Sequence, residues 1–201
     1  MILLYLNSNS YLWVFLQIKY LVDKNKIHFH NKYYQIRQME WHHYSSNKID
    51  KLFNITQLKI SEKPDGLWFS TPGQWEYALK TYVRVLHGTN KYLYGITKLP
   101  SNILFIEDPI VFLKRYSTKD GINWNHIKKS GYSGVYIPDL SGHGCLPDQD
   151  MFDKCAKFPG GLVFFSVDCD SLVFWDTDNL EIKLIQYNEQ GLIHYKEDQD
   201  I

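Results

Sequence analysis

The side chains of this sequence that could do chemistry fall into a few groups, and most have a structural use beside the chemical one. His43 sits in the run WHHYSS, between aromatic and hydroxyl residues. On a strand beside Trp41 and Tyr44, such an imidazole can serve as a partly buried, hydrogen-bonded residue of the core. Asp168 and Asp170 in VDCDS are closely spaced carboxylates between two apolar runs, where Asp commonly closes a turn. His143, Cys145 and Cys155, with Asp148, Asp150 and Asp153 nearby, bring metal-ligating types together. Their spacing matches neither a zinc finger nor a ribbon and includes no C-x-x-C pair, so no metal is expected. His87, Gly88 and Thr89 read as the end of a helix with Gly88 as its cap. The sequence has no Gly-rich phosphate loop followed by Lys and Ser or Thr, no H-E-x-x-H and no G-x-S-x-G. Nucleoside triphosphatase, zincin and α/β-hydrolase chemistry therefore find no support.

The elements that must position these groups follow from pattern. Trp41 to Ser46 predicts a short strand, with Ser46 or Asn47 capping a turn of helix over Lys48 to Phe53. Lys63 to Gly66, KPDG, is a tight-turn signature, because Pro presets φ and Gly tolerates a positive one. LWFS then predicts a strand. Gln74 to Leu86 carries Trp75, Ala78, Leu79, Tyr82 and Val83 at helical spacing and predicts an amphipathic helix. Further along, the pattern predicts strands at Ile103 to Ile106 and Gly134 to Ile137, and helices at Pro109 to Tyr116 and Trp124 to Lys129. Gly142 to Gly161 reads as a long loop, a place for a lid or insert. GLVFFSVD, SLVFWD and EIKLIQY predict three closing strands. Strands outnumber helices without a βαβ alternation, so the expected class is α+β, a single domain with a split, mainly antiparallel β core and a few short helices.

HHYSS followed by KPDGLWFS and then Trp75 resembles a family of phage, viral and bacterial proteins with the pattern HYS, then KPxGLWxS. WNHIKKSGYSGVYIPDL and VDCDSLVFWD continue the resemblance, which spans roughly residues 40 to 178. The first motifs in turn resemble small ADP-ribosyltransferases of the histidine class, which open with a His-Tyr-Thr/Ser strand and continue to a Gly-Leu-x-x-Ser segment. The resemblance implies an ADP-ribosyltransferase-like fold and NAD as co-substrate. By the same likeness, His43 would hydrogen-bond a ribose hydroxyl, neighbouring backbone would hold the nicotinamide amide, and an aromatic ring would stack on the nicotinamide. Tyr44, Ser45, Gly66, Leu67, Trp68, Ser70 and Trp75 would line that pocket, with Trp68 and Trp75 flanking it. Such chemistry uses a carboxylate to stabilise an oxocarbenium-like transition state. The strand GVYIP carries Tyr136 where a Glu would be expected, which leaves Tyr136 and Asp170, or Asp168, to assist. The readings that follow are a mono-ADP-ribosyltransferase acting on a macromolecular acceptor and a catalytically silent module that binds a nucleotide or a protein. A purely structural or virus-encoded interaction protein is the third.

Length and composition set the frame. The 201 residues suit one domain, 44% apolar and 22% charged. Lys plus Arg equals Asp plus Glu at 22 each, which argues against nucleic acid as an electrostatically held partner. Aromatic residues make up 16%, material for a Tyr-rich β core or for the flat walls of a small-molecule pocket. Three cysteines form no disulfide framework, so a reducing, cytoplasmic setting is expected, in a host cell if the source is viral. Residues 1 to 22 are apolar but broken by Asn7 to Ser10 and Lys19, which fits a β-hairpin better than a signal peptide or membrane helix. Residues 1–38 are expected as an extension or additional strands, and residues 39–201 as the main domain.

Overall fold

The computed structural model describes residues 39–57, 60–72, 90–140, 148–167 and 169–189. Two compact units divide the chain, Met1–Met39 and Glu40–Ile201, and the described elements belong to the second. In chain order these are β1 (His42–Ser45), β2 (Leu67–Ser70), β3 (Tyr92–Lys98), β4 (Ile103–Phe105) and α1 (Pro109–Tyr116). A small hairpin, β5 (Ser117–Thr118) and β6 (Gly121–Ile122), leads into α2 (Trp124–Lys129) and β7 (Gly134–Ile137). Two short helices, α3 (Gln149–Cys155) and α4 (Val163–Ser166), precede β8 (Ser171–Phe174) and β9 (Glu181–Tyr187). Seven strands form one sheet in the order β4-β7-β8-β2-β1-β3-β9. All its pairings are antiparallel except β4 with β7. The architecture is mixed α and β, dominated by a large mixed sheet with a few short helices.

Successive side chains leave a strand on opposite faces, and the two faces of this sheet differ. Val135, Ile137 and Val173 join a buried core with Phe112, Leu113 and Tyr116 of α1, Trp124 and Ile127 of α2, and Val163 and Phe164 of α4. Register places Phe105, Tyr136, Leu172 and Phe69 in one row across β4, β7, β8 and β2 on the other face. Local chemistry explains the helices on the first face. Asp108 caps α1, its Oδ1 accepting from Ile110 N at 2.8 Å and Val111 N at 3.0 Å, and Pro109 begins the helix where no N–H is needed. Asn123 caps α2 by accepting from His126 N at 3.0 Å. Trp124 donates from Nε1 to Ser61 O at 3.1 Å and Trp175 from Nε1 to Tyr132 O at 2.5 Å, which ties two large buried rings to loops.

Several expectations need correction. Lys48 to Phe53 forms no helix. Ser45 Oγ takes the local backbone into a turn instead, accepting from Asn47 N at 3.2 Å and donating to Asn47 O at 2.7 Å, and Ile49 N is held by Tyr94 Oη at 2.7 Å. The stretch Gly142 to Gly161 is not wholly a loop, since Asp148 caps α3 within it, and residues 141–147 lie outside the described residues. GLVFFSVD does not extend as a strand. Val163–Ser166 turns as α4, with Val167 N donating to Val163 O at 3.2 Å, because the Gly160-Gly161 turn before it redirects the chain. Strand β3 and the β5–β6 hairpin were not expected. The helix expected over Gln74 to Leu86, the cap at Gly88 and the hairpin at Asn7 to Ser10 lie outside the described residues.

Candidate functional site

The sheet is nearly interrupted at its centre. β1 has four registered partners on β3, and β2 has four on β8, but β1 and β2 share only the pair His42 with Ser70. Beyond that pair the two strands are no longer in ladder register. His43 reaches into the opening, and its Nδ1 lies 2.7 Å from the carbonyl oxygen of Trp68. A carbonyl can only accept, so Nδ1 carries the proton. Burial pushes the His43 pKa below its ordinary value of 6.5, against the smaller opposing effect of the Trp68 bond. The ring is therefore neutral at pH 7, with its lone pair on Nε2. No other hydrogen bond engages the ring among the described residues. Phe69 and Tyr94 flank it, with ring centroids at 5.5 Å and 6.5 Å.

A cavity of about 240 Å³ occupies this opening. It takes His42, His43 and Tyr44 from β1, and Trp68, Phe69 and Ser70 from β2. Lys63 from the segment before β2, Ser166 and Val167 from the end of α4, Cys169 from the segment before β8 and Ser171 at its start complete the lining. The lining includes consecutive residues of β1 and of β2, whose side chains leave a strand on opposite faces. His42, Ser70 and Ser171 form one row across β1, β2 and β8 by register. Among the described residues His42 Nδ1 is buried without a hydrogen-bond partner, while its Nε2 lies 3.8 Å from Glu40 Oε2. Ser171 Oγ donates to Cys169 O at 2.9 Å, and Lys63 Nζ donates to Ser166 O at 2.7 Å.

Of the residues the sequence singled out, His43, Tyr44, Trp68 and Ser70 line this cavity. Gly66, Leu67 and Ser45 do not. At Gly66 a Cβ would collide with Val173 Cγ1 and lie 2.9 Å from Phe174 O, so this glycine is needed for the close approach of β2 to β8. Ser45 spends its hydroxyl on Asn47. Tyr136 and Asp170 stand together but apart from the cavity lining. Burial pushes the Tyr136 phenol up, and the charge of Asp170 and a hydrogen bond to it add to the effect. Asp170 Oδ1 also accepts from Asp139 N at 2.9 Å, so it anchors the chain after β7. Trp75 and Asp168 lie outside the described residues. Sequence reasoning missed His42, Ser171 and Cys169, whose part in the cavity depends on long-range register.

No family model, curated protein or solved structure matches the chain. Among the described residues, no group of three or more His, Cys, Asp and Glu could hold a metal, and no helix is long and apolar enough to cross a membrane.

Proposed function

We propose that this chain is a nucleotide-binding module of ADP-ribosyltransferase-like fold, holding NAD through His43 without transferring ADP-ribose. The observation that carries the reading is that His43 and Trp68 share one cavity whose described lining contains no carboxylate. A neutral imidazole fixed by a backbone carbonyl presents Nε2 as an acceptor for a ribose hydroxyl. Trp68, Phe69 and Tyr44 supply flat walls for a ring. The cavity is smaller than the roughly 300–1,000 Å³ of sites for drug-sized ligands, so it suits the nicotinamide ribose end of the dinucleotide rather than all of it. Transfer would require charge stabilisation at the ribose, and the candidate Asp170 is committed to Asp139 N and Tyr136. The buried free thiols Cys155 and Cys169 fit a cytoplasmic setting. Calorimetric titration with NAD, run beside an assay for released nicotinamide, tests the proposal. Binding heat without nicotinamide release is expected. Release at a catalytic rate would show a transferase instead, and absence of heat at millimolar NAD would refute the nucleotide site.

A further inference from the structure

Fixed charge in the described lining of the cavity is of one sign: Lys63 is a cation, and none of the described lining residues is a carboxylate. Lys63 Nζ donates to Ser166 O at 2.7 Å, and Ser166 belongs to the same lining. That bond holds a long side chain against the cavity and uses one of the three donors of an ammonium. No carboxylate pairs with Lys63 among the described residues. Its remaining N–H groups and its charge are therefore left for a ligand. The bond has a structural use too, since Ser166 ends α4 and a lysine there satisfies a terminal carbonyl. A neutral amide would serve that use as well, and the uncompensated charge is what it does not require.

Burial shows where this cation stands. Phe69 and Ser70 of the lining are buried, whereas Lys63 is exposed, so Lys63 marks the place where the cavity opens to solvent. A cavity of about 240 Å³ takes the nicotinamide ribose end of the dinucleotide, and the rest must leave through that opening. The first group beyond the sugar is its phosphate. A hydrogen bond from an ammonium to a phosphate oxygen is charge-assisted and roughly twice as strong as a neutral one.

We propose that Lys63 Nζ, held at the opening by Ser166 O, binds the phosphate carried by the sugar inside, so that the cavity selects a phosphorylated nucleoside over the bare nucleoside. This inference rests on the nucleotide-binding reading. Lys63 then reads the phosphate, separately from the contact that His43 makes with the sugar.

Calorimetry on the full chain with nicotinamide mononucleotide and nicotinamide riboside tests this, because the two probes share the sugar and differ by one phosphate. Wild-type protein is expected to bind the mononucleotide at least about tenfold more tightly, the lower end for a hydrogen bond to a charged group. In Lys63→Gln, which keeps a donor for Ser166 O, that gap should largely close while the riboside binds no more weakly than to wild type. Lys63→Arg keeps the charge and should keep the gap. The wild-type comparison needs no variant, so the test stays decisive if a substitution fails to fold. Equal affinity of wild type for the two probes would overturn the inference and leave nucleotide binding standing. So would an unchanged gap in Lys63→Gln, or equal losses for both probes there, the mark of a purely structural lysine. Displacement of the mononucleotide by inorganic phosphate at equal concentration would show a free anion site and overturn it as well. Failure of both probes to bind at millimolar concentration would overturn the inference together with the nucleotide reading.

Discussion

His43 Nδ1 lies 2.7 Å from the carbonyl oxygen of Trp68, so a side chain of β1 makes the bond to β2 that a ladder amide would otherwise make. The N–H and C=O of one residue leave a strand on the same side, so the Trp68 N–H faces the same opening. One imidazole thereby does two things. It closes the edge of the opening and fixes which of its own nitrogens is left to meet a ligand.

Replacement of that ring tests the first role. In His43→Ala the Trp68 carbonyl loses its partner, and the expected destabilisation is about 1–2 kcal/mol, within the range for a lost hydrogen bond and a stranded acceptor. Urea denaturation measures it. A variant as stable as wild type would show that the bond contributes nothing to holding β1 against β2.

Stability should also depend on pH through this residue. Burial depresses the folded-state pKa of His43 below its ordinary value of 6.5, so the unfolded chain takes up the proton first as pH falls. The contribution of His43 is then unchanging above about pH 7, declines as pH drops below the ordinary imidazole value, and levels off once the folded protein is protonated too. NAD binding should weaken only lower in the acid range, as the folded protein itself takes up the proton on Nε2 and the acceptor is lost. Denaturation midpoints of wild type and His43→Gln, compared from pH 7 downward, isolate the effect. Parallel curves would contradict it.

Gly66→Ala should destabilise the sheet although the position lies outside the cavity. The new methyl would meet Val173 Cγ1 and the backbone of Phe174, and overpacking of this kind costs about 1–3 kcal/mol. A drop in the urea midpoint with an unchanged slope is expected. A midpoint equal to that of wild type would mean that β2 and β8 can move apart freely.

How far these features could be read from the sequence depended on how local they are. The LWFS strand and α1 were legible because a short apolar run and an Asp-Pro cap act within a few residues. The tight turn expected at Lys63 to Gly66, by contrast, does not form as a hydrogen-bonded turn, and Gly66, outside the positive-φ region, serves the approach of β2 to β8 instead. Strand β3 was not legible, since Tyr92 to Lys98 follows a stretch of helical periodicity and its pairing with β1 is set by partners about 50 residues away. GLVFFSVD is rich in strand-forming residues, yet a glycine turn and core packing of Val163 and Phe164 make it helical. In the site, motif resemblance pointed to His43 and Trp68. It could not show that Ser70 and Ser171 fall in register with His42, nor that Asp170 would be held by Tyr136 and Asp139. Those facts belong to long-range pairing.

The unit Glu40–Ile201 has its own sheet and core, so a chain lacking residues 1–38 should still unfold cooperatively. Thermal melting followed by circular dichroism decides this. A truncated chain without a cooperative transition would show that the first 38 residues belong to the fold.

Within the core, Trp175 is fully buried and its Nε1 holds Tyr132 O. Trp175→Ala should therefore cost about 3–5 kcal/mol, and Trp175→Phe clearly less, because most of the apolar volume remains. Equal losses in the two variants would place the weight on the indole hydrogen bond rather than on packing.

The most direct test of the account is nitrogen-15 NMR of the His43 ring, assigned by its loss in His43→Gln, at pH 7 with and without NAD. The account predicts a neutral ring protonated on Nδ1, and an Nε2 resonance that moves as NAD is added while nicotinamide stays attached. A ring protonated on Nε2, or an Nε2 resonance unmoved at millimolar NAD, would contradict it.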